Sequence, residues 1–140
     1  MSCDEELVTD FVVEANEHLA DIEAQLLSIE ESGSDLDVEL VNEVFRGVHS
    51  IKGAAGFLGL RKVNDLAHGL ENALNLMRNG ELTPNSVLID AMLKAADALQ
   101  QLINDVENSN EHEVVEYVES IEAAITRETT SHASPGDNSI

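Results

Sequence analysis

Large aromatic side chains are nearly missing from this 140-residue chain, which has three Phe, one Tyr and no Trp. A core must therefore be built from Leu, Val, Ile and Ala. Only Pro84 and Pro135 interrupt the chain, and strand signals are absent, so helices are favoured. The single cysteine, Cys3, excludes a disulfide framework and fits a reducing compartment. The first residues are acidic, without the basic and apolar regions of a secretory signal. No apolar run nears the roughly 18 residues that a membrane span needs. These absences leave one soluble, helical domain, expected in the cytoplasm, as a monomer and away from membranes.

Cations are scarce as well. Seven Lys and Arg stand against 28 Asp and Glu, a net charge of −21, which argues against nucleic acid and anionic lipid as partners. Their placement is uneven. Residues 46–78 hold Arg46, Lys52, Arg61, Lys62 and Arg78 but only Asp65 and Glu71, a local charge of +3, while the remainder carries −24. That island suits an anionic group or an acidic partner.

What the chain does have is helical periodicity. Leu7, Phe11, Ala15, Leu19, Ile22, Leu26 and Ile29 form one stripe, predicting a helix from about Asp4 to Glu31. Ser32-Gly33-Ser34 breaks it, and Asp35 or Asp37 caps a second helix that runs to Gly59. A third follows at once on the stripe Val63, Leu66, Ala67, Leu70, Leu74 and Met77, ending at Asn79-Gly80. Thr83-Pro84 signals the start of a fourth, and Asn110 with Glu113 a shorter fifth. The expected fold is all-α, an antiparallel four-helix bundle with a fifth, shorter C-terminal helix. Residues 1–126 form the domain. Residues 127–140, rich in Ser, Thr and Asn, read as a flexible linker or tail.

The second helix contains an anomaly, three interior glycines (Gly47, Gly53, Gly56), each costing roughly 0.5–1 kcal/mol relative to alanine. At about 100° per residue, Leu40, Val44, Ile51, Ala55 and Leu58 fall nearly opposite His49. Around His49 fall Gly53, Gly56, Phe45, Lys52 and Arg46. One imidazole thus stands on the outer face, flanked by cations, with glycines keeping its surroundings clear.

Little other chemistry is available. There is no phosphate-binding Gly-x-x-x-x-Gly-Lys-Ser/Thr loop, and the five histidines show no His-x-x-x-His or Glu-x-x-His spacing, so no metal site is expected. His49 as a nucleophile remains. Histidine titrates near neutrality, so a neutral imidazole is at hand. Its attack on a phosphoryl group gives a phosphoramidate that a second acceptor can take. Such a carrier needs exposure, a nearby cation, which Lys52 supplies one turn along, and a partner that fixes which ring nitrogen attacks.

His49-Ser50-Ile51-Lys52-Gly53, followed by Gly56 and Gly59, resembles the histidine-phosphotransfer (HPt) domain at the N-terminus of the chemotaxis histidine kinase CheA. Ala67-His68-Gly69-Leu70-Glu71-Asn72 resembles that family's second motif. Ala54 stands where many members have a second glycine. The resemblance implies that His49 accepts a phosphoryl group. It further implies that Glu71 holds Nδ1–H and leaves Nε2 free to attack, with Lys52 and His68 completing the network. Gly53, Gly56 and Arg46 would clear and edge the docking face. The implied partners are an ATP-binding kinase domain and the aspartate of a response-regulator receiver domain. ATP and magnesium would belong to those partners, with no cofactor bound by this domain. The competing reading is a non-catalytic helical interaction module, in which the glycines serve packing alone.

Overall fold

Asp37 opens the helix on which the molecule turns: its Oδ1 accepts from the Leu40 amide at 3.2 Å. The helix ends at Gly59, which takes the left-handed conformation (φ 77°) closed to most side chains. In the computed structural model, which describes the backbone of residues 2–138 and the side chains of residues 5–127, the helices are α1 (Ser2–Leu19), α2 (Ile22–Ser32), α3 (Val38–Leu58), α4 (Arg61–Arg78), α5 (Ser86–Asn104) and α6 (Val115–Asn138). A 3-10 turn, Val106–Glu111, precedes α6. No strand occurs among the described residues, and no helix there is long and apolar enough to cross a membrane.

Side by side around the bundle run α1 with α2, then α3, α4 and α5; α6 packs against α4 and α5. Short connections make neighbours antiparallel. The interior is aliphatic, as the shortage of aromatics requires: Leu26, Ile51, Leu66, Leu70, Leu74, Leu88 and Leu99 are fully buried, and of the three phenylalanines only Phe11 lies in the core, at its edge. On α3 the buried face is Val41, Val44, Val48, Ile51 and Ala55, which turns His49 outward.

Several boundaries differ from the sequence reading. The first predicted helix is two, broken at Ala20-Asp21, yet its stripe from Phe11 to Ile29 is buried across the break. The cap of α5 is Asn85, whose side chain accepts from Leu88 N at 2.9 Å; Thr83-Pro84 lies just before it, with Pro84 buried. The C-terminal helix is not shorter. It starts late, at Val115, because Asn110 is engaged elsewhere and residues 106–111 form the 3-10 turn instead, and it spans 24 residues. Its backbone is helical to Asn138, through most of the stretch whose composition suggested a linker, and of residues 128–140 no side chain is described.

Candidate functional site

The register of α3 against α4 decides whether the outer-face residues of the two helices meet. Three contacts set it. Leu60 N donates back to Ala55 O at 2.9 Å, closing the turn. Asn110, from the 3-10 turn, donates Nδ2 to Gly59 O (3.0 Å) and accepts from Lys62 N (3.3 Å), pinning both ends of that turn. Asn64 Nδ2 donates to the Lys52 carbonyl at 2.8 Å. Gly56 is what admits Asn64, since a Cβ there would lie 3.2 Å from its Nδ2.

With that register, Glu71 of α4 reaches His49 and Lys52 of α3. Glu71 Oε2 pairs with His49 Nδ1, and Lys52 Nζ donates to Oε1 at 2.7 Å. Glu71 is only 8 % exposed. Burial pushes its carboxyl up, but the hydrogen bonds from Lys52 and His49, with their charges, outweigh that and hold it below the ordinary carboxylate value. An ionised carboxylate only accepts, so the ring nitrogen it faces is Nδ1–H. The lone pair of neutral His49 is then on Nε2, which has no protein partner among the described residues. The His49 side chain is 60 % exposed, whereas that of Lys52 is half-buried. A buried carboxylate, paired with a half-buried lysine, therefore holds an accessible nucleophile by one edge.

Two more residues sit on the ring. Phe45, one turn before His49, lies parallel to the imidazole, with centroids 5.8 Å apart and planes 8° from each other. The Arg78 guanidinium covers the Phe45 ring at 3.8 Å, and its Nε donates to Asn75 Oδ1 at 3.1 Å. The sequence reading placed Phe45 beside His49 without a role and gave Arg78 none beyond its charge. A Phe four residues before the histidine was the available signal; the Arg78 contact, made between helices, had none. Phe45, His49, Lys52, His68, Glu71, Asn72 and Asn75 line one shallow groove of about 320 Å³.

The remaining predicted residues are placed as follows. His68 is exposed on the groove, with no hydrogen bond to Glu71 or His49 among the described residues. Arg46 is exposed on α3. Gly53 is exposed, and a Cβ built on it meets nothing within 4 Å. One turn further, Phe57 stands 81 % exposed, a residue the sequence reading passed over.

The chain is similar to known proteins in both sequence and fold. The family model described as the Hpt domain matches residues 6–109. The chemotaxis protein CheA of Rhizobium meliloti is 44 % identical over 94 residues, covering 67 % of this chain and 12 % of that protein. A solution structure of the histidine phosphotransfer domain of CheA superposes with a TM-score of 0.72 at 31 % identity, covering 85 % of this chain and 91 % of that one. The phosphorylated P1 domain of CheA3 from R. sphaeroides, solved in complex with CheY6, shares the fold with a TM-score of 0.74 at 23 % identity, over 88 % of this chain and 98 % of that one. The chain spans less than a fifth of the length of the curated relatives it matches.

Proposed function

The chain belongs to the Hpt domain family, and on that footing we propose that His49 is the residue that carries the phosphoryl group. The observation behind this is the Glu71 carboxylate, buried and ionised, shared between His49 Nδ1 and Lys52 Nζ while the His49 ring stays open to solvent. The Nε2 lone pair attacks the γ-phosphorus of ATP held by a kinase domain. The N–P bond forms as the bond to the ADP oxygen breaks, with magnesium supplied on that domain. The ring keeps its Nδ1 proton and gains positive charge as it reacts, and Glu71 lies against that charge. A receiver-domain aspartate then attacks the phosphorus, the N–P bond breaks, and neutral imidazole returns. No cofactor of the domain's own enters either step. The domain is thus a carrier rather than an enzyme, the parent chain a histidine kinase of the CheA kind, and the relay cytoplasmic, where ATP is supplied.

The partners close over one strip of α3. Arg46, Ser50, Gly53 and Phe57 recur at helical spacing beside His49, and all four are exposed. A cation, two small residues and an aromatic end suit a partner with an acidic acceptor site and an apolar border. Gly56 serves by admitting Asn64, and His68 borders the groove.

Incubation with a CheA-type kinase domain and ATP tests the assignment. The chain should gain one acid-labile, base-stable phosphoryl group, absent from His49→Gln. Labelling that persists in His49→Gln, or is lost only when His68 is changed, overturns it.

A further inference from the structure

Glu71 holds the imidazole at a single point, Nδ1, and a ring held at one point on a mostly exposed side chain still rocks about that bond. The face of the ring needs its own restraint. Phe45 lies parallel to it, 5.8 Å between centroids and 8° between planes. Phe45 is half-buried and packed against the core, so it is a stiffer neighbour than a surface side chain. Arg78 reaches from α4 to cover the same Phe45 ring at 3.8 Å, and the bond from its Nε to Asn75 Oδ1 steadies the guanidinium. A cation over an aromatic face is attracted by the ring's quadrupole, and a planar guanidinium also stacks there.

We infer that Phe45, held in place by Arg78, is a positioning residue for His49. It sets the plane of the imidazole while Glu71 sets its rotation, so that Nε2 is aimed along one line of attack. Neither Phe45 nor Arg78 touches the phosphoryl group in this account; both act through the ring of His49. The gain is orientation, since a misplacement of about 1 Å at a reacting atom can cost roughly 10²-fold in rate. Arg78 has a second consequence. Its charge is engaged over Phe45, so within the cationic stretch it serves geometry before it serves as a counter-charge for phosphate.

The inference rests on His49 being the phosphoryl acceptor, and its test keeps the two apart. The probe is phosphoramidate, a small donor whose P–N bond breaks to release ammonia and which needs no docking surface. Phe45→Leu keeps an apolar side chain at the position but no flat face, Phe45→Tyr restores the face, and Arg78→Gln removes the exposed cation. NMR relaxation of the His49 ring Cδ2–H and the ring-current shift of its protons report ring order without any phosphorylation. Phe45→Leu should phosphorylate about tenfold more slowly, with lowered ring order and the ring-current shift gone. Phe45→Tyr should return rate and ring order to those of the unmodified chain, and Arg78→Gln should lower both about two- to threefold.

Equal losses in the Leu and Tyr variants, or a slowed Phe45→Leu whose His49 ring order is unchanged, overturn the inference. A Phe45→Leu chain that reacts at the unmodified rate overturns it as well. If Phe45→Leu does not fold, Arg78→Gln decides, because Arg78 lies on the surface and unchanged ring order in that variant rejects the pair. If the unmodified chain is phosphorylated neither by phosphoramidate nor by kinase and ATP, the assignment of His49 falls, and the ring-order measurements still decide the role of Phe45.

Discussion

Asn64 donates its amide to the main-chain carbonyl of Lys52 at 2.8 Å, through a space between α3 and α4 that exists because residue 56 has no Cβ. This contact shares Lys52 with the Lys52–Glu71 pair, lies two turns of α4 before Glu71, and locks the two helices next to the site. It also separates the roles of two glycines that are indistinguishable by composition.

Gly56→Ala should therefore gain less than a helical Gly→Ala change ordinarily does. A Cβ at 3.2 Å from Asn64 Nδ2 requires that amide to move, and it is tethered to Lys52. Losing the bond costs about 0.5–1.5 kcal/mol, which cancels or exceeds the backbone gain of roughly 0.5–1 kcal/mol. In an Asn64→Ala background that cost has already been taken, and Gly56→Ala should become stabilising. Urea denaturation of the four proteins of this cycle measures the coupling. Additive effects would remove Asn64 from the account.

Glu71 gives a pH-dependent prediction. Its folded-state carboxyl titrates below the ordinary 4.5. Between that lowered value and 4.5, the unfolded chain holds a proton that the folded chain does not. Stability therefore rises with pH across this window, is fully present above 4.5, and is lost as pH falls through the folded value. Glu71→Gln has no such group. Denaturation from about pH 7 to about pH 3 should show the unmodified chain ahead at neutral pH and the gap closing below 4.5. A gap of constant size would mean that the Lys52 and His49 bonds do not stabilise the carboxylate.

His49 was legible because phase arithmetic needs only one helix: an apolar stripe on α3 turns the opposite side to solvent. The meeting of His49 with Glu71 needed the α3–α4 register, which the HPt resemblance supplied and periodicity did not. The burial of Glu71 was likewise hidden. It lies off the α4 stripe in the sense used for a single helix, yet His49 and Lys52 cover it from the neighbour. Asn110 shows the reverse error. Asn followed three residues later by Glu is a capping signal, but this asparagine spends both ends of its amide on the α3–α4 turn. The break at Ala20-Asp21 has no glycine or proline to mark it, so an unbroken stripe concealed it. Phe45 with Arg78 belongs to the same class of omission, a contact between helices.

Phe57 carries the prediction about partners. An aromatic ring that is 81 % exposed, three turns of helix from Phe45 and two from His49, contributes little to the core. Phe57→Ser should leave stability within about 0.5 kcal/mol of the unmodified chain. As an anchor in a protein interface it should cost about 1–2 kcal/mol, roughly five- to thirtyfold in the KM for transfer to a receiver domain. Phosphorylation by phosphoramidate should not change, since that donor makes no such contact. Unchanged transfer to the receiver would take Phe57 out of the docking strip. A loss in both reactions, loading by phosphoramidate and transfer to the receiver, would place the defect at His49 instead.

Gly53 offers the sharpest separation of packing from clearance. Packing has no support here, because a Cβ at this position meets nothing within 4 Å and the residue is exposed. It lies well inside α3, so Gly53→Ala should stabilise the chain by about 0.5–1 kcal/mol through reduced backbone freedom in the unfolded state. The cost of keeping glycine then needs another reason, and its position gives one. It stands about 6 Å along the helix axis from His49, on the strip proposed for docking. A methyl there should slow transfer to and from protein partners while leaving reaction with phosphoramidate unaltered. Urea denaturation beside the two transfer assays decides the matter. A destabilised Gly53→Ala chain contradicts the open space around the residue. A stabilised chain that still exchanges phosphoryl groups with its partners at full speed shows that the glycine does not serve docking, and the strip would then have to be drawn through Arg46 and Phe57 alone.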